Sequence, residues 1–124
     1  QVNADSLKWK VEKLVSFGTR HTMSSTTDKK RGIGAARNWV LSQFKNYAKN
    51  SGGRMSVELH NQDLQPDGKR ISQLTNLGNP MAILKGTDPN DDRVFIISGH
   101  LDSRVSDVLN FKNDHLEQMM MQVE

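Results

Sequence analysis

The chain has 124 residues, 35% of them hydrophobic and 25% charged, with a formal net charge of +3 and no cysteine. That length suits one domain with its own core, and the lack of cysteine excludes disulfides and thiolate-bound metal. The densest basic stretch, Asp28-Lys29-Lys30-Arg31, is short and has no aromatic neighbour, and no apolar run reaches the ~20 residues of a membrane span, so neither a nucleic-acid partner nor a membrane partner is expected.

Taken in chain order, Ser6 predicts an N-cap, and Leu7, Val11, Leu14 and Val15 recur on one face of a short helix that Phe17-Gly18 ends, with Trp9 off the stripe. Residues 19–27 are rich in Ser and Thr without apolar period and read as a loop. Thr27 or Asp28 is the expected cap of a longer helix in which Ile33, Ala36, Val40, Leu41 and Phe44 recur at threes and fours. This helix should run to about Ala48 and stop before Ser51-Gly52-Gly53. At its start, Gly32-Ile33-Gly34-Ala35-Ala36-Arg37 has part of a dinucleotide-binding fingerprint. It follows a basic loop rather than a strand and lacks the third glycine, so a plain helix start is expected.

Beyond the glycines the period becomes two. Met55, Val57 and Leu59 alternate with Ser56, Glu58 and His60, which predicts a half-buried strand at or near an edge. Pro66-Asp67-Gly68 is a turn, because proline presets φ and glycine tolerates positive φ. A second strand is expected over residues 74–85 and a polar link over 86–92. Then comes the most apolar run, Val94-Phe95-Ile96-Ile97, which predicts a central strand covered on both faces. The expected fold is α/β: a mixed β-sheet with helices packed on it. The final residues, HLEQMMMQVE from His115, fit either an amphipathic helix or a poorly ordered end.

His100 and Asp102 follow the apolar run, where open α/β sheets place ligand and catalytic groups. Leu101 between them should point to the core and leave both polar side chains on one side. Neutral histidine binds a divalent metal through one ring nitrogen while a carboxylate orients the ring through the other; both side chains as direct ligands is the alternative. The remaining candidates are weaker. His21, beside Arg20, suits a surface or structural role, His60 should face solvent, and Ser24 and Ser25 lack a His and Asp set that would activate a nucleophile.

Residues 76–87, NLGNPMAILKGT, with residues 94–104, VFIISGHLDSR, resemble the di-zinc aminopeptidase family, which includes glutamate carboxypeptidase-like and glutaminyl cyclase-like enzymes. VSFGTRH at 15–21 and AARNWV at 35–40 support a resemblance that covers roughly residues 7–114. It implies the N-terminal part of a zinc-exopeptidase (phosphorylase/hydrolase-like) fold, with His100 as the first zinc ligand and Asp102 as the carboxylate that buttresses it. It also implies two zinc ions, a peptide substrate and, since many bacterial members are secreted, export to the periplasm or beyond. Gln1 in place of Met fits an upstream segment, a signal peptide being one candidate.

The pattern breaks after Asn113-Asp114. The family continues with a stretch like APGAxDDxSG, then a Glu-Glu pair, a further Asp and a final His; here HLEQMMMQVE follows. Asp107, Asp114, His115 and Glu117 lie outside the expected context. The expectation is therefore a domain portion over 1–114 with an atypical tail over 115–124, unable by itself to retain zinc or to turn over peptides. A non-catalytic relative serving binding or assembly, and a glutaminyl cyclase-type acyltransferase, are the alternatives.

Overall fold

The computed structural model describes residues 2–114, so the tail with His115 and Glu117 lies outside the described residues. Helix α1 (Ala4–Val15) is capped by Asn3, whose side chain accepts the Ser6 N–H at 2.9 Å. Asparagine is among the strongest N-caps, and starting one turn earlier than Ser6 places Asp5 in the first turn, favourable for the helix dipole. Of the expected apolar face, Leu14 packs against the core, while Leu7 and Val11 stay exposed. Trp9, off that face, instead lies edge-on to Trp39 at 5.9 Å.

Helix α2 (Gly32–Ala48) begins later than Thr27 or Asp28 because Asp28 caps a preceding turn, accepting the N–H groups of Lys30 and Arg31. The helix has no side-chain cap from Arg31. Its first free donors are satisfied instead by Phe17, just after α1, and by the Ser/Thr loop. Gly32 N–H donates to the Phe17 carbonyl at 2.9 Å, Ile33 N–H to Ser24 Oγ at 2.9 Å and Gly34 N–H to the Ser25 carbonyl at 3.0 Å. Gly32 has φ +86°, which favours glycine, and a Cβ on Gly34 would stand 2.4 Å from the Thr26 carbonyl oxygen. The two glycines thus let a loop close over a helix start; they are not a nucleotide motif.

Strands β1 (Met55–Leu64) and β2 (Thr75–Leu84) pair antiparallel in one register from Met55↔Leu84 to Leu64↔Thr75. Met55, Val57 and Leu59 face inward and Ser56, Glu58 and His60 outward, as the alternation predicts. Arg37 of α2 lies buried under the hairpin and donates to the Asn76 carbonyl at 3.1 Å; a Cβ on Gly78 would meet this guanidinium at 2.6 Å. Burial pushes the Arg37 pKa below its ordinary value. The core is small: Phe17, Ala35 and Ala36, with Leu14, Trp39 and Leu101 packed against them.

The link between the strands is organised by Asp67, whose Oδ1 accepts the N–H groups of Lys69, Arg70 and Ile71 at 2.8–2.9 Å. These bonds favour the carboxylate and hold its pKa below the usual range. A depressed carboxylate stabilises the fold above its unfolded pKa of about 3.9, and the effect is lost as pH falls through the folded value. An NMR titration is expected to show Asp67 protonating below the ordinary aspartate range, with the Lys69–Ile71 amides shifting at the same pH; a titration at the ordinary aspartate pH would contradict this turn.

The α/β class and the packing of helix on sheet are as expected, but the strand expected at 94–97 does not form. The sheet is two-stranded and antiparallel, and residues 91–100 join no ladder among the described residues. Val94, Phe95, Ile96 and Ile97 are 81%, 84%, 85% and 100% exposed. A strand apolar on both faces is stabilised only when covered on both and flanked by partner strands. The two helices and the hairpin offer it neither.

Candidate metal site

The chain regains contact with the fold at Leu101, whose side chain enters the core beside Phe17 and Ala36. Inward packing at 101 puts the residues on either side of it outside, as the alternation predicts. There His100 Nδ1 lies 3.0 Å from Asp102 Oδ1, with the His100 side chain 96% exposed and that of Asp102 46% exposed. With Asp102 ionised, Nδ1 carries the proton and donates, so Nε2 keeps its lone pair free for an electrophile.

Arg20 fixes the backbone around this pair. Its Nε donates to the Leu101 carbonyl at 2.8 Å, and Nη1 donates to the Leu14 carbonyl in the last turn of α1 at 2.7 Å. Its main chain exchanges two hydrogen bonds with Ser103, Arg20 N–H to Ser103 O at 3.2 Å and Ser103 N–H to Arg20 O at 3.3 Å. Burial lowers the Arg20 pKa from its ordinary value, and the charge of Asp102 raises it back in part.

The other candidates serve the scaffold. His21 is buried; Nδ1 accepts the Met23 N–H at 3.0 Å, so Nε2 bears the proton it gives to the Val108 carbonyl at 2.9 Å. Both ring nitrogens are thereby used. His60 is exposed on β1. Ser24 Oγ donates to the His21 carbonyl and accepts from Ile33, while Ser25 Oγ accepts from Thr27 and Asp28. Asp107 accepts the Leu109 N–H in a turn. Asp114 pairs with Arg31 through both carboxylate oxygens and accepts the N–H of buried Thr19 at 2.5 Å. Sequence reasoning missed the contacts of Arg20 with Leu101 and Ser103 and the Arg31–Asp114 pair, because each joins positions some eighty residues apart that carry no local signal.

One imidazole here has the chemistry of a zinc ligand. An imidazole with Nδ1 held by a carboxylate and Nε2 open to solvent is the arrangement of a zinc-ligating histidine. A catalytic zinc takes about three protein ligands, and among the described residues no group of three or more His, Cys, Asp or Glu side chains is arranged to hold a metal.

Comparison with known proteins connects this chain to zinc metalloproteases. It is 50% identical over 104 residues to a protein named "Probable zinc metalloprotease" from Pyricularia oryzae, covering 84% of this chain and 20% of that one. Proteins of the same name from Pyrenophora teres f. teres and Phaeosphaeria nodorum are each 44% identical over 115 residues, 92% of this chain and 23% of theirs. The chain therefore spans about a fifth of the length of the curated relatives it matches. No family model matches the chain, and no solved structure does.

Proposed function

We propose that this chain is the part of a zinc-dependent peptidase that carries its first metal ligand, His100, and the carboxylate that orients it, Asp102. The observation that carries the reading is the 3.0 Å His100–Asp102 contact at an exposed site, in a chain 40–50% identical over most of its length to proteins named as zinc metalloproteases. Zinc in such enzymes polarises the scissile carbonyl and lowers the pKa of a bound water. Asp102 keeps the His100 proton on Nδ1, which leaves Nε2 as the ligating atom.

The reading extends to the exopeptidase class, with two zinc ions, removal of N-terminal residues from peptides and export of the enzyme, on the strength of the Gly99-His100-Leu101-Asp102-Ser103 motif. Among the described residues, the ligands brought together amount to one imidazole and its partner. The 124-residue chain alone is thus read as a non-hydrolysing portion, and a binding or assembly role draws on that same incomplete donor set.

The test is a zinc titration of the isotope-labelled chain followed by His ring NMR, with zinc content after dialysis and aminopeptidase turnover measured on the same sample. His100 Nε2 is expected to shift with zinc while His21 stays fixed, with less than one zinc retained and no turnover. A His100 that ignores zinc removes the ligand assignment. Stoichiometric zinc with turnover would show that the chain completes its own site.

A further inference from the structure

The His100–Asp102 pair closes a stretch of ten residues, 91–100, without ladder partners among the described residues, yet a ligating histidine has to be held in place. Two anchors lie next to it: the Leu101 side chain in the core and the guanidinium of Arg20 on the Leu101 carbonyl. We propose that Arg20 is the positioning residue of this site, tying the backbone on which His100 and Asp102 sit to the C-terminal end of α1. The inference rests on the reading of His100 as a zinc ligand.

The geometry favours arginine for a definite reason. Two donors of one planar fork, Nε and Nη1, reach two carbonyls, Leu101 O at 2.8 Å and Leu14 O at 2.7 Å. The Leu14 carbonyl belongs to the last turn of a helix, where carbonyls lack intrahelical donors and cations are favoured; besides Arg20 it accepts the Phe17 N–H, at the longer distance of 3.4 Å. The residue's own main chain meanwhile grips Ser103 on the far side of Asp102. Leu101 O and Ser103 N–H thus bracket Asp102, which restricts the backbone that aims its carboxylate at His100 Nδ1. Lysine, a point charge with no planar fork, keeps the main-chain bonds to Ser103 but does not reproduce the paired contact with the Leu101 and Leu14 carbonyls.

The test compares the full chain with Arg20→Lys and Arg20→Gln by ring-nitrogen NMR. The wild type is expected to hold His100 as the Nδ1–H tautomer. In both variants His100 should relax to a mixture of tautomers while His21, held by Met23 and Val108, keeps its own. The zinc concentration that half-shifts His100 should rise about tenfold, the lower end of what loss of a ligand-supporting residue costs. Variants that lose thermal stability but keep the wild-type His100 tautomer and zinc response would overturn the proposal and leave Arg20 a structural staple.

A wild-type His100 indifferent to zinc would sink the ligand reading alone, since the tautomer comparison still decides the role of Arg20. If both variants unfold, the wild-type Arg20 Nε–H decides. Protection from exchange together with a shift that follows His100 supports the bracket; exchange as fast as in an exposed guanidinium, or no shift, overturns it.

Discussion

Gly34→Ala is expected to destabilise the chain by about 1–3 kcal/mol, although alanine is the better helix former. Replacing glycine inside α2 gains about 1 kcal/mol of helix propensity. Against this, the new Cβ would lie 2.4–2.5 Å from the carbonyl oxygen, carbonyl carbon and Cα of Thr26, all backbone atoms that cannot rotate away. Forcing one carbon into such a contact costs about 1–3 kcal/mol, and separating the loop also weakens the Gly34–Ser25 hydrogen bond, about 1 kcal/mol more. Steric loss outweighs propensity. Urea unfolding measures it as a lower midpoint at constant m-value. Gly52→Ala is the contrasting control: its Cβ meets nothing within 4 Å, so only the positive φ of +62° resists it, at about 1–2 kcal/mol. A Gly34→Ala chain as stable as the wild type would mean that the loop does not close on the helix in this way.

The second large effect is expected at Val94–Ile97. Burying each of these side chains fully is worth about 1.5–3 kcal/mol, so the four together represent on the order of 6–12 kcal/mol of unsatisfied apolar surface. An exposed uncharged run of β-branched and aromatic residues without proline is a template for pairing between chains. The chain is expected to associate as its concentration rises, seen as a growing sedimentation coefficient. The double variant Phe95→Lys with Ile97→Lys should stay monomeric with its unfolding midpoint nearly unchanged, because neither side chain packs against the fold. A wild type that remains monomeric at high concentration, or a double variant that associates equally well, would refute this account.

How much was legible beforehand differs by element. The helix α2 and the hairpin were readable because their apolar periods, 3.6 and 2, are local and are honoured by the packing: Ile33 and Ala36 are buried with Val40, Leu41 and Phe44 half-buried, and Met55, Val57 and Leu59 alternate inward. The start of α2 was misplaced because its capping groups, Phe17 O, Ser24 Oγ and Ser25 O, come from an earlier loop rather than from the residue before it. The apolar face of α1 was legible too, but Leu7 and Val11 find no covering element among the described residues.

The amino-acid sequence by itself determined the chemistry available: an imidazole and a carboxylate two residues apart, flanking a leucine that the core would claim, so that both polar groups share a side. It equally determined that 94–97 is apolar on both faces, a pattern written for a covered strand. Only the tertiary structure decided that this run stands uncovered, because a strand is made by its neighbours and β1 and β2 pair with each other. It alone also decided what steadies the site, since the bond from Arg20 to Leu101 spans 81 positions of chain and exists only once α1, the loop and residues 101–103 meet.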